Sequence, residues 1–138
     1  MAEQIGSSFE KVTNNIKVSA ESEYISERSV PEDSEFFFAY TIQITNMGEK
    51  PARLMSRHWI ITDGHGRTHE VKGDGVVGEQ PVIAPGESYE YSSFCPLETP
   101  TGTMQGSYKM VYMQGGSVGE GFQIEIPRFF LIEPSSFN

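Results

Sequence analysis

The sequence predicts an all-β fold: one immunoglobulin-like antiparallel β-sandwich of about seven strands. Three observations predict it. Runs that alternate apolar and polar residues recur, each bounded by Gly, Pro, Asn or Ser, and amphipathic helical patterns are poor. The runs are spaced roughly 8–15 residues apart, as in sandwiches. The single tryptophan, Trp59, falls on an inward position of a central strand candidate. At 138 residues the chain has room for one core.

In "NIKVSAESEYI", Ile16, Val18 and Ala20 alternate with Lys17, Ser19 and Glu21. "SVPEDSE" breaks that strand with Pro31 and acids. "EFFFAYTIQITNMG" is the strongest strand, with Phe36, Phe38, Tyr40, Ile42 and Ile44 on one face. "SRHWIITDGHGRTHEVKG" reads as a hairpin with Trp59 and Ile61 inward. Its turn, Asp63–Gly66, implies a Thr62–Arg67 pairing. "SYEYSSF", "GSYKMVYM" and "GFQIEIP" supply three further strands, and "PRFFLIEPSSFN" carries the last one past Pro127 before it frays.

Composition removes several classes of function. A formal net charge of −9 disfavours nucleic-acid backbones and anionic membrane surfaces. No apolar run approaches the roughly 20 residues of a membrane helix, and the N-terminus lacks a signal-peptide pattern. One cysteine, Cys95, makes no internal disulfide, so the cytoplasm is the expected compartment.

The stretch Gly73-Asp74-Gly75-Val76-Val77-Gly78 spells G-x-G-x-x-G, the fingerprint of a dinucleotide-binding turn. That turn needs a helix whose N-terminus holds the pyrophosphate. Here Pro81 and Pro85-Gly86 follow instead, so the backbone is expected to run on as loop and strand. The glycines then serve a crossing or a bulge. A further reading keeps an anion site: glycine-loop amides form a concave nest beside Lys72, with Arg57, Arg67 or Lys109 brought near in space. The candidate anion-binding residues are therefore Lys72, Gly73, Gly75 and Gly78, for a phosphate or nucleotide.

Catalytic and metal signatures are thin. His58 and His69 lie on opposite arms of the hairpin, where a diagonal same-face approach is open to them, but neither H-E-x-x-H nor a Cys/His cluster occurs. Cys95 has apolar neighbours, which raise a thiol pKa, and no nucleophile elbow exists. The chain is read as a non-enzyme with no catalytic residue, no metal site and no cofactor. Phe37 faces outward from its strand, and it and Phe129-Phe130 are candidates to cover an edge or meet a partner. Homodimerisation through a sandwich edge is compatible with this pattern.

Several blocks together resemble the ApaG family: Ser56-Arg57-His58-Trp59, Asp63-Gly64, "GDGVVGEQP", Pro85-Gly86-Glu87, and Thr99-Pro100 through Gly102-Thr103-Met104 to Gly106. The likeness covers residues 9–132, leaving a flexible N-terminus over 1–8 and a tail over 133–138. It implies a fibronectin type III-like sandwich and a binding role, with protein–protein interaction first. It also implies two alternatives: pyrophosphate or nucleotide binding at Gly73–Gly78, and an auxiliary part in cobalt tolerance and magnesium efflux. "YSSFCPLETP" departs from the family pattern, carrying Phe94-Cys95-Pro96 where a glycine-bearing turn is expected.

Overall fold

A computed structural model describes residues 8–137. The expected flexible segment 1–8 lies outside that range except for Ser8, as does Asn138 of the tail. Among the described residues there are nine strands: β1 (Phe9–Thr13), β2 (Ile16–Tyr24), β3 (Phe36–Asn46), β4 (Ala52–Asp63), β5 (Thr68–Asp74), β6 (Val82–Ile83), β7 (Ser88–Leu97), β8 (Thr101–Gln114) and β9 (Ser117–Ile132). They form two antiparallel sheets packed face to face, one in the order β1-β2-β3-β7 and the other β5-β4-β8-β9, with β6 added to β4.

The two strands beyond the expected seven are β1 and β6. Asn14 and Asn15 both take positive φ, making the tight turn that folds β1 back on β2. The segment "YSSFCP" is the body of β7, with Cys95 buried opposite Phe38, so no turn interrupts it. After Ile132 the chain makes a 3-10 turn, Pro134–Phe137.

Alternation fills the core as the sequence implies, with Val18, Phe38, Ile42 and Ile44 from one sheet and Trp59, Tyr108, Met110 and Ile124 from the other. Tyr40 and Trp59 meet edge to face across the sheets, 5.3 Å between centroids. The Tyr91 and Tyr108 hydroxyls, both buried, hydrogen-bond each other.

Two bulges reset the alternation. In β4 the register against β8 slips between Leu54 and Ser56, so the buried set passes from Ala52 and Leu54 to Trp59 and Asp63. In β9 the slip falls opposite Gln105, where Ile126 and Pro127 are both buried and the inward set passes to Phe129 and Leu131. Proline lacks a ladder donor, so a bulge is where a sheet accommodates it. Phe129, expected at an edge, is therefore a core residue and contacts Trp59. Phe130 is half-buried against Phe9, 5.6 Å between centroids.

Candidate functional site

No helix opens after Gly78. Gly73 and Asp74 end β5, and the chain then makes a hairpin of its own. Val76 and Glu79 exchange backbone hydrogen bonds of 2.8 and 2.9 Å, while Val77 (φ 48°) and Gly78 (φ 79°) form the tight turn between them. The Gly75 N–H donates to the Met55 carbonyl at 2.9 Å. Gly75 has φ 62°, and a Cβ there would run into the Glu79 carbonyl. The amides of Gly75, Val76 and Glu79 thus all donate to backbone oxygens.

Side chains of β4 fasten this turn from outside. Arg57 Nη1 donates to the carbonyls of Asp74 and Gly75, at 3.0 and 2.9 Å. Arg53 Nε donates to the Gln80 carbonyl, and Gln80 Nε2 donates to that of Met55. Of the three cations considered near the loop, Arg57 lies on it, whereas Arg67 is at the far end of β5, paired with Asp63 and Glu98.

Lys72 belongs to a different surface from Gly73, which lies under the Arg57 guanidinium on the turn side, and from Gly75 and Gly78. On the outer face of the five-stranded sheet, Lys72 stands opposite His58, and His58 opposite Ser107. One row along, Asp74, Ser56 and Lys109 line up in the same way, followed by Gln123. These residues, with Arg57 and Gly73, line a depression of about 400 Å³. A second depression of about 480 Å³ continues from His58, Ser107 and Gln123 toward Lys11, Glu125 and Arg128. Sequence reasoning named Lys72 and Lys109 but not Ser56, Ser107 or Gln123, because cross-strand register alone makes them neighbours.

His58 and His69 do not meet. The hairpin loop is three residues long, since the Asp63 N–H bonds the Arg67 carbonyl, and Thr62 pairs with Thr68 rather than Arg67. That one-residue slip puts His69 opposite Ile61, on the other face from His58. The neighbour His58 gains is Glu70, at 2.9 Å. Among the described residues no group of three or more His, Cys, Asp or Glu is placed to hold a metal ion. Cys95 is buried, which pushes its thiol up to about 11.

The remaining surface feature is aromatic. Phe37 and Phe94 pack with their rings tilted by 33° on the outer face of the four-stranded sheet, centroids 5.2 Å apart, and the Arg28 guanidinium sits 4.4 Å above Phe37. Phe94 is 55% exposed and lies on β7, which pairs only with β3 among the described strands.

Similarity to known proteins agrees with the blocks that hold these turns together. The family model for the ApaG domain matches residues 26–112. The chain belongs to the ApaG family. It is 49% identical over 126 residues to Protein ApaG of Rhodopseudomonas palustris strain TIE-1, covering 91% of this chain and 94% of the relative. Protein ApaG of Bordetella pertussis is 48% identical over 124 residues, covering 90% and 92%. A Bordetella pertussis crystal structure carrying the ApaA name superposes with a TM-score of 0.81 at 50% identity, covering 86% of this chain and 94% of that one. The Asp63-Gly64 block of this ApaG-family chain is a corner joint. Asp63 Oδ1 accepts from the His65 and Arg67 amides, and the Gly64 amide donates to Thr99 Oγ1. No helix among its described residues is long and apolar enough to cross a membrane.

Proposed function

We propose that this ApaG-family domain is a non-catalytic protein-binding module that docks an extended segment of its partner along the free edge of β7. The observation that supports this reading most is the Phe37–Phe94 pair beside that edge. An edge strand offers unpaired backbone donors and acceptors to an incoming strand. Phe94, more than half exposed on the same strand, offers apolar area that such a segment would cover. Arg28 already stacks on both rings, holding the patch in one arrangement before any partner arrives.

The test compares wild type with Phe94→Ser and Phe37→Ser in pull-downs from native lysate, followed by hydrogen exchange on the complex. A partner lost in both variants, with amides of Ser88–Leu97 protected in the wild-type complex, supports the reading. Capture that is unchanged by both substitutions refutes it.

Phosphate or nucleotide binding at Lys72–Gly78 is supported by Lys72, and weakened at Gly75, whose amide, like those of Val76 and Glu79, is already hydrogen-bonded. A pyrophosphate titration followed by amide shifts over residues 71–80 checks it. The cobalt and magnesium reading gains no ligand cluster from the described residues.

A further inference from the structure

The outer face of the five-stranded sheet inverts the charge of the molecule. The chain has 19 acidic and 10 basic residues. Four of those 10 bases, Lys11, Lys72, Lys109 and Arg128, line the two joined depressions on this face, against the acids Asp74 and Glu125, with Glu70 beside them on His58. Glu125 is engaged by Lys11 at 3.4 Å. Neither Lys72, Lys109 nor Arg128 is within ion-pair distance of a carboxylate among the described residues. Holding like charges together on an acidic protein costs stability without a gain inside the fold.

We infer that this groove binds an extended acidic segment of another polypeptide. The shape argues for a chain rather than a compact anion. The joined depressions cross β5, β4, β8 and β9, sharing His58, Ser107 and Gln123. Lys72 and Lys109 stand two strands and two residues apart, on a diagonal of roughly 12 Å, which lets each engage a separate anionic group. Sheet backbone amides are spent on the ladder, so the preorganised amides of a phosphate cradle are missing from the sheet's interior. Carboxylates four residues apart on an extended chain share one face and are separated by roughly 13 Å, close to the spacing of the lysines. Between them Ser56, Ser107 and Gln123 offer uncharged hydrogen-bonding groups to the peptide backbone.

This surface is on the other sheet from Phe37 and Phe94, so the two sites fail independently. The probe is a fluorescein-labelled dodecapeptide of alternating Asp and Ser, followed by anisotropy, with a Lys-for-Asp peptide as control. Saturable binding at 25 mM NaCl is expected to weaken at least tenfold at 250 mM. It should also weaken at least tenfold in Lys72→Glu/Lys109→Glu and stay unchanged in Phe94→Ser. If the double charge reversal shifts the urea midpoint, Lys72→Met/Lys109→Met replaces it. Three results overturn the inference: no binding by wild type at 25 mM NaCl, equal binding by the double variants, or saturation of the lysines by inorganic pyrophosphate while the peptide fails to compete.

Discussion

The guanidinium of Arg57 lies so close over Gly73 that a Cβ built on the glycine would stand 2.9 Å from Arg57 Cζ. The same guanidinium holds the carbonyls of Asp74 and Gly75, so the glycine clears space for the clamp on the turn. The three glycines of the G-x-G-x-x-G stretch consequently do three separate jobs, and substitution should grade them. Gly78→Ala meets no atom but keeps φ 79°, and should cost about 1 kcal/mol. Gly73→Ala pushes aside a flexible side chain and its two hydrogen bonds, at about 1–2 kcal/mol. Gly75→Ala collides with backbone at positive φ and should cost about 3 kcal/mol or more. Urea denaturation of the three variants measures the order; equal losses would contradict it.

Val77 predicts the opposite sign. It is a β-branched residue at φ 48°, 61% exposed, in a two-residue turn that favours Asn-Gly. Val77→Asn should stabilise the fold by about 0.5–1 kcal/mol, seen as a higher urea midpoint at unchanged slope.

The hydroxyl pair of Tyr91 and Tyr108 bridges β7 and β8 across the core. Burial, first of all, raises both phenols well above their ordinary value, so the pair is neutral throughout the physiological range. Tyr108→Phe leaves the Tyr91 hydroxyl without this partner and should cost about 1–2 kcal/mol. Adding Tyr91→Phe should cost less than the sum of the single changes, because no orphaned hydroxyl remains.

For Asp63, burial opposes ionisation, but the amides of Arg67 and His65 and the Arg67 guanidinium outweigh it and hold the carboxyl below its usual range. A depressed carboxyl contributes stability above its unfolded pKa and loses it as pH falls through the folded one. Asp63→Asn should therefore lower the urea midpoint at pH 7, and the gap from wild type should narrow as pH falls toward 3. A gap constant with pH would refute the role of the charge.

Cys95 has its thiol pushed up by burial to about 11, from an ordinary 9.0. At pH 8 its thiolate fraction is then about 100-fold lower than that of a free cysteine. Ellman's reagent should react at least about 100-fold faster in 6 M guanidinium than with the folded protein.

Much of this was legible in the chain itself. Period-two alternation is a local property, so the inward positions of β2, β3 and the hairpin arms follow from composition along each strand. The prolines after Gly78 likewise exclude a helix there by their own covalent geometry. The unread elements turned on a single residue of register. A bulge opposite Gln105 moved Phe129 into the core, and a three-residue hairpin loop put Arg57 opposite Gly73 and moved His69 off the face of His58.

What the sequence by itself determined is the family, the strands and their buried faces, because side-chain alternation and proline stereochemistry act over a few neighbouring residues. Only the tertiary structure decided which of Lys72, Arg57, Lys109 and Arg67 share a surface, and how the glycine turn closes. Those outcomes depend on pairing between residues up to sixty apart in the chain, where one inserted residue reverses every face beyond it.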